Sequence, residues 1–374
     1  MTIVRIEASI VAVPLTQPYQ TAHGVREVQR SLVVQVHDAT GGIGTGNVDP
    51  SPGYSRESVA DHFAAVRDRF GPALLGMPAA NVHRMMARFD AIDPALLDAK
   101  AALEMACMDL TARRAGLSMA ELLGGAVRSE VRFNAWIGML SPEDAAREAA
   151  HWHAAGFRSC KVKVGGDLEQ DCARVRAVRE ATDSAFRIRA DGNEGYGEAD
   201  AIAFVERCAG LGLELYEQPI PGDDLAALAR VRARSNAVGV PLMADEALID
   251  HSSLIAIIRA GAADIVKVKV MKQGGLLATR RMIATAEAAG MPCVIGHGYG
   301  LGVCTTAEMI VAATAANVIE GIECVGPLKT RDDIVTAKPD LSRGVLEVPV
   351  SPGLGVELDP VRMQRFTTEH AVVG

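Results

Sequence analysis

Two patterns of apolar and polar positions follow one another along the chain. Residues 2–13 alternate between apolar and polar side chains, residues 31–37 are rich in β-branched residues, and Gly41-Gly42 marks a turn. Together these features predict a β-meander. Apolar residues then recur at helical spacing in three later stretches, over roughly 55–71, 97–115 and 119–123. We interpret residues 1–125 as a separate α+β domain.

Beyond residue 126, short β-rich runs alternate with Ala-rich helical stretches. Eight such runs lie at residues 131–138, 159–165, 186–193, 213–219, 241–247, 264–270, 292–298 and 321–327. This rhythm predicts an α/β domain, a parallel (β/α) barrel over residues 126–344, with an open doubly wound sheet as the alternative. Two further strand-like pieces follow residue 328, and we expect residues 345–374 to return to the first domain and complete it.

Composition and charge narrow the classes of partner. The chain of 374 residues is 49% hydrophobic and carries a net charge of −8, with Lys and Arg scattered along it. This argues against nucleic acid or an anionic membrane as partner, because both need a concentrated basic surface. Seven cysteines without a C-x-x-C pair, no signal peptide and no long apolar run predict a soluble protein of the reducing cytoplasm.

Each predicted barrel strand from the second onward carries a polar residue near its carboxyl end, where barrel active sites lie. Successive members of this set are 24 to 28 residues apart, about one βα unit, and are Lys163, Asp191, Glu217, Asp245, Lys269, His297 and Glu323. We therefore expect their side chains to converge on one mouth of the barrel.

Three carboxylates come from adjacent strands of this set, those of Asp191, Glu217 and Asp245. Crowded carboxylates do not all stay ionised without a cation, and oxygen ligands alone favour Mg²⁺ or Mn²⁺. Any one of them could instead be a helix N-cap or a surface salt bridge, but the shared phase of all three predicts a metal site.

Lys163 and Lys269 lie on the strands that flank the three acids, and Lys161 and Lys267 precede them by two residues on the same strand face. Repulsion between such neighbours, roughly 2.5 kcal/mol, lowers a lysine pKa by about two units, so that the amine can act as a base. A single strand lysine could simply reach solvent. A metal beside a lysine base is suited to removing a proton next to a carboxylate, because the metal stabilises the enediolate that forms.

These motifs resemble the enolase superfamily, in particular its muconate lactonising enzyme branch, over essentially the whole chain. The resemblance rests on the barrel motifs Lys161-Val162-Lys163, Asp191-Gly192-Asn193, Glu217-Gln218-Pro219, Ala244-Asp245-Glu246 and Lys269-Val270-Met271-Lys272-Gln273-Gly274-Gly275. It implies a barrel of the modified TIM type with an N-terminal capping domain, catalytic Lys163 and Lys269, bound Mg²⁺, and supporting roles for Asn193 and Glu246. It also implies a small carboxylate substrate and a homo-oligomer.

The resemblance further implies that loops of the capping domain select the substrate, here near Tyr19, His23 and Tyr54. Gly46-Asn47 departs from the Gly-Glu that relatives often carry. His297 is similar to a histidine of mandelate racemase, but no acid partner for it is evident in the sequence. We expect it to line the pocket, with a role as a base as the alternative.

Glu323-Cys324-Val325-Gly326-Pro327-Leu328 resembles the corresponding segment of muconate cycloisomerases. The Asp-x-Asp with which dipeptide epimerases of this branch hold an ammonium group is missing. We therefore expect a cycloisomerase or a racemase/epimerase, with an acid dehydratase as an alternative on the same scaffold. A lysine Schiff-base aldolase and a ligand-binding barrel without activity are rivals of other classes.

Overall fold

The computed structural model describes residues 1–21, 24–50 and 55–374, and the side chains of these residues except 18–21 and 24–26. The described strands are β1 Ile3–Thr21, β2 Gly24–Asp38, β3 Ile43–Val48, β4 Glu130–Arg132, β5 Ala135–Ile137, β6 Ser159–Lys163, β7 Arg187–Asp191, β8 Leu213–Glu217, β9 Leu242–Ala244, β10 Ile265–Val268, β11 Cys293–His297, β12 Glu323–Cys324, β13 Val345–Glu347 and β14 Thr367–Val373.

The helices of the N-terminal part are α1 Val59–Ala65, a π-helical segment Val66–Phe70, α2 Gly71–Leu74, α3 Val82–Ile92, α4 Leu97–Ala115 and α5 Met119–Leu122. Those that follow are α6 Pro142–Ala154, α7 Leu168–Glu180, α8 Glu198–Arg207, α9 Leu225–Ala237, α10 His251–Ala260, α11 Leu276–Ala288, α12 Gly302–Ala313, α13 Gly326–Lys329 and α14 Pro360–Phe366. In the described part of the chain, no helix is long and apolar enough to span a membrane.

The first helix starts later than the periodicity predicts, and local capping explains the difference. The Ser58 side chain accepts a hydrogen bond from Asp61 N, and the Asp61 carboxylate accepts one from Ser58 N at 2.8 Å. This reciprocal pair satisfies two donors that a helix start leaves unpaired, and so fixes the start at Val59. By contrast, α4 has the bounds that the sequence predicts, and it ends at Gly116 with φ 70°.

The N-terminal sheet is antiparallel, with the strand order β14-β1-β2-β3. Helix α4 lies so close to β3 that a Cβ on Gly44 or Gly46 would meet the carbonyl oxygens of Ala106 and Ala102 at 2.1 and 2.0 Å. Only glycine permits this approach, and most side chains of α4 are buried.

Eight parallel strands, β5 to β12, form the second sheet in sequence order. The circle closes where Asn134 N donates to Ile322 O at 2.8 Å and Ile322 N donates to Arg132 O at 3.0 Å. The predicted (β/α) barrel with an N-terminal α+β unit is therefore confirmed, and the open sheet is excluded.

The C-terminal segment divides between the two sheets. As expected, β14 returns to the N-terminal sheet and pairs with β1. The expectation was wrong for β13, which pairs with β4, the short strand that directly precedes the amino end of the first barrel strand β5. Val345–Glu347 therefore pairs with the segment that leads into the barrel, although it lies beyond the predicted barrel boundary at residue 344. The domain boundaries as such stay a prediction.

Candidate active site

The three acids lie at the carboxyl ends of neighbouring barrel strands, as predicted. Asp191 and Glu217 are the last residues of β7 and β8 and are register partners, and Asp245 directly follows β9. All three side chains are buried, at 3% relative exposure or less. Burial and the nearby Asp191 raise the pKa of Glu217 to about 8. A cluster of this kind holds excess negative charge that only cations offset.

The donor set fits a hard divalent cation, because it consists of carboxylate oxygens from three adjacent strands. Next to it, the buried Oε2 of Glu246 has no hydrogen-bond partner among the described residues, while its Oε1 accepts from Asn193 at 2.9 Å. An unpaired buried carboxylate oxygen beside the trio is a further acceptor for a cation or its bound water.

Lys163 and Lys269 lie at opposite ends of the row of acids. Lys163 Nζ is 2.7 Å from Asp191 Oδ2, and it also donates to Asn193. Lys269 Nζ is 2.8 Å from Asp245 Oδ1. Since β6 and β10 flank β7, β8 and β9 in the barrel, the two amines approach the acids from two sides.

Lys161 and Lys267 lie beneath the catalytic candidates, in a buried network of opposite charges. Lys161 Nζ is 2.6 Å from Glu323 Oε2 and 2.9 Å from Asp191 Oδ2. Lys267 Nζ is 2.5 Å from the same Glu323 oxygen and 2.6 Å from Glu217 Oε1. Burial disfavours both charges, yet these carboxylates raise the pKa of both lysines above the ordinary value.

The like charges along each strand, from which depressed lysine pKa values are predicted, are only part of the charge balance. In the folded chain, Lys161 and Lys267 are each paired with carboxylates from other strands, and these offset the repulsion. Glu323 is accordingly a supporting residue, 5% exposed, that joins the two buried lysines.

Arg189 belongs to this network, although the sequence analysis overlooked it. Its guanidinium is fully buried and donates to Glu214 at 2.6 Å and to Glu323 at 3.1 Å. A usable signal was present, because Arg189 precedes Asp191 by two residues and so points to the same face of β7.

His297 has two acid partners, so the expectation that it has none was wrong. Its Nδ1 lies 3.2 Å from Glu308 Oε1, and its Nε2 lies 3.6 Å from Asp49 Oδ2. Asp49 follows β3 of the N-terminal sheet, whereas Glu308 is the single charged residue of helix α12. A single charged residue in a predominantly apolar helix was a signal for Glu308, and none pointed to Asp49.

A cavity of about 420 Å³ opens at this end of the barrel. Ten of the eleven predicted site residues of the barrel line this cavity, namely Lys161, Lys163, Asp191, Asn193, Asp245, Glu246, Lys267, Lys269, His297 and Glu323. Glu217 is not part of this lining and lies beneath it. Lys272, Lys329, Trp136 and Tyr299 also line the cavity, and the sequence analysis did not single them out as site residues.

The capping-loop candidates of the sequence analysis are Tyr19, His23 and Tyr54. His23 and Tyr54 lie outside the described residues, and so does the side chain of Tyr19. Asp49 and Ser55, on either side of one gap, do line the cavity, together with Leu96 and Asp98 of the N-terminal part. The N-terminal unit therefore contributes to the wall of the site.

A closed (β/α) barrel with buried carboxylates and lysines at the carboxyl ends of its strands has the architecture of a (β/α)-barrel enzyme. Residues 5–124 match the family model of the mandelate racemase / muconate lactonizing enzyme N-terminal domain, and residues 144–362 match that of the enolase C-terminal domain-like group. The chain belongs to the mandelate racemase/muconate lactonizing enzyme family of the enolase superfamily.

Similar proteins of this family catalyse isomerisations. The chain is 32% identical to the L-Ala-D/L-Glu epimerase of Bacillus subtilis, over 95% of this chain and 97% of the relative. It is 33% identical to muconate cycloisomerase 1-1 of Acinetobacter lwoffii, over 100% of this chain and 98% of the relative. These relatives support its assignment as a metal-dependent isomerase.

Two solved structures share the fold over the whole chain. The N-succinyl Arg/Lys racemase of Bacillus cereus superposes with a TM-score of 0.95 at 29% identity, with both chains covered completely. A dipeptide epimerase of Cytophaga hutchinsonii, complexed with Mg and a dipeptide, gives a TM-score of 0.93 at 26% identity, again with both chains covered completely.

Proposed function

We propose that this protein binds Mg²⁺ and removes the proton α to the carboxylate of a small organic acid, and that it acts as a racemase or epimerase. The observation that carries the proposal is the placement of Lys163 and Lys269 at opposite ends of one row of buried carboxylates. A racemase needs a base on each face of the reacting carbon, and two lysines so placed meet that need.

Asp191, Glu217 and Asp245 would hold the ion. When bound, Mg²⁺ neutralises negative charge that develops on the substrate carboxylate as its α-proton leaves. Mn²⁺, with the same preference for oxygen ligands, is expected to substitute.

The proton would pass between the substrate and the two lysines. One lysine, as the neutral amine, takes the α-proton at Nζ, and the other, as the ammonium ion, returns a proton to the opposite face. Lys161 and Lys267, which are tied to Glu323, keep fixed positive charge beneath the reacting carboxylate. Positioning groups of this kind act without reorganising during the reaction.

A muconate-type cycloisomerase is the second candidate. The segment Glu323–Leu328 and the 33% identity to muconate cycloisomerase 1-1 favour it. The chemistry of the site is shared, but one lysine would then transfer the proton at a single face and the other would act as a fixed cation. A free dipeptide is disfavoured as substrate, because no Asp-x-Asp at β12 is available for its ammonium group.

The deciding experiment is proton exchange in D₂O, followed by ¹H NMR. N-acyl amino acids, α-substituted carboxylates and muconates would be incubated with the Mg²⁺-loaded protein. We expect Mg²⁺-dependent loss of the α-proton signal from both enantiomers of at least one acid. Borohydride trapping of a carbonyl substrate on a lysine would instead support the Schiff-base aldolase, and absence of exchange from every acid would contradict the proposal.

A further inference from the structure

Lys329 occupies an aromatic slot in the wall of the cavity. It is the last residue of α13, and its Nζ donates to Gly298 O at 3.0 Å. The same Nζ lies 4.7 Å from the ring centre of Trp136 and 4.6 Å from that of Tyr299. Trp136 lies on β5 and is the register partner of Lys161 on β6, so the slot is one strand away from the strand of Lys163.

Lys329 differs from the other five lysines of the cavity in its charge balance. Lys161, Lys163, Lys267, Lys269 and Lys272 each have a carboxylate oxygen within 4.0 Å of Nζ. Within the described chain, Lys329 has none, and the residues whose side chains are not described include no Asp or Glu. Among the described residues it is thus the one cavity lysine with no carboxylate at ion-pair distance, and Glu323 acts on it only from farther away.

The surroundings make that charge costly. Burial, with repulsion from Lys161 and Lys163, lowers the pKa of Lys329 to about 7. The faces of two aromatic rings and one carbonyl oxygen offset part of this cost, but they do not neutralise an ammonium ion. An anion that enters the cavity would complete the pairing.

We propose that Lys329 binds a second anionic group of the substrate, a carboxylate remote from the one that reacts. The site would therefore take dicarboxylic acids, whose far carboxylate pairs with the Lys329 ammonium that Trp136 and Tyr299 hold in the cavity wall. This rests on the proposed function for the reacting carboxylate, but the binding preference can be measured separately. An ammonium-bearing end would meet repulsion from Lys329, and a neutral end would leave it unpaired.

The test compares matched ligands that differ only in the charge of the far end. N-succinyl amino acids and their terminal carboxamides would be titrated into the Mg²⁺-loaded protein, with the dissociation constant read from tryptophan fluorescence or calorimetry and with α-proton exchange measured in parallel. For the wild type we expect the carboxylate to bind on the order of 10- to 100-fold more tightly than the carboxamide.

Three variants separate recognition from structural support. Lys329→Met should reduce the preference to within about twofold, and Lys329→Arg should keep most of it, because both replacements are long enough to fill the slot and only Arg is charged. Lys338→Met, a half-buried lysine outside the cavity lining, is the matched control and should keep the wild-type preference.

The outcomes distinguish the two proposals. Equal affinities of the wild type for both ligands, or an unchanged preference in Lys329→Met, would overturn the role of Lys329. Loss of affinity for both ligands alike in Lys329→Met would also overturn it, since that is the effect of a structural residue. Absence of exchange with every acid would contradict the proposed function, while the carboxylate preference would still decide the role of Lys329.

Discussion

Nε2 of His297 lies 3.6 Å from Oδ2 of Asp49, so a histidine at the end of the seventh barrel strand faces an acid of the N-terminal sheet. Asp49 is fully buried, and burial raises its pKa to about 6. Burial by itself would lower the pKa of His297, but Glu308 and Asp49 raise it above its ordinary value. The contact joins the two parts of the chain beside the cavity, and both groups bind protons more strongly in the folded state.

This pair predicts a pH-dependent stability. Asp49 binds its proton more tightly when folded, so its contribution to stability is complete below about pH 4 and is lost as the pH rises through 6. Between pH 4 and 6 the ionisation of Asp49 should lower the free energy of unfolding of the wild type by on the order of 2 kcal/mol. In Asp49→Asn this decrease should be absent. Urea denaturation at several pH values measures it.

The control for that experiment is Asp223→Asn at an exposed position, which should leave the pH profile unchanged. Other buried acids, such as Asp98, whose pKa burial raises to about 7, also give the wild type a slope. The informative quantity is therefore the difference between variant and wild type. Parallel profiles for Asp49→Asn and the wild type would show that Asp49 is not the titrating group.

Removal of the metal should abolish proton exchange. EDTA should lower the exchange rate at least 10³-fold, and Mg²⁺ or Mn²⁺ should restore it, because three buried carboxylates would otherwise face the substrate anion. Asp245→Asn should weaken Mn²⁺ binding, which electron paramagnetic resonance measures without turnover. Full exchange in metal-free protein would rule out the metal mechanism.

The lysines should separate the two candidate reactions. In a racemase, Lys163→Ala should slow α-proton exchange of one enantiomer by roughly 10²- to 10⁴-fold and leave exchange of the other enantiomer measurable. Lys269→Ala should have the same effect on the opposite enantiomer. In a cycloisomerase, we expect Lys163→Ala to eliminate all proton exchange. Lys269→Ala should slow turnover without changing the face of the substrate at which the proton exchanges. Near wild-type exchange in both variants would exclude the lysines as bases.

Glu323→Gln should destabilise the fold. The substitution removes the charge that joins Lys161 and Lys267 and that Arg189 also contacts, and it leaves buried cations without part of their compensation. Breaking buried ion pairs costs about 3 kcal/mol or more. Urea unfolding in the presence of Mg²⁺ measures the loss, with exposed Glu347→Gln as control. A change below about 1 kcal/mol would mean that the network does not depend on the Glu323 charge.

The capping loops should control specificity. Substitutions of Tyr19, His23 or Tyr54 should alter kcat/KM unequally among substrates, because the family resemblance assigns substrate selection to these loops. The measurement is kcat/KM for several acids with each variant. Equal effects on every substrate, or none, would indicate ordinary surface loops.

The barrel and the alignment of its site could be predicted from the sequence. Strands repeat at about one βα unit, and side chains alternate between the two faces of a strand, so Lys163, Asp191, Glu217 and Lys269 acquire their relative positions from local periodicity. The same periodicity could have identified Arg189.

Only the tertiary structure decided the charge balance of the site. In the sequence, Lys161 and Lys267 each lie two residues before another lysine, Lys163 and Lys269 respectively. In the fold, other strands supply the carboxylates that pair with them. The contact of His297 with Asp49 joins positions 248 residues apart, and the absence of a carboxylate near Lys329 within the described chain depends on every surrounding element. Periodicity describes which face of a strand or helix a side chain occupies. Electrostatic energy depends on the distances between charges in space, which the packing of the N-terminal sheet on the barrel determines.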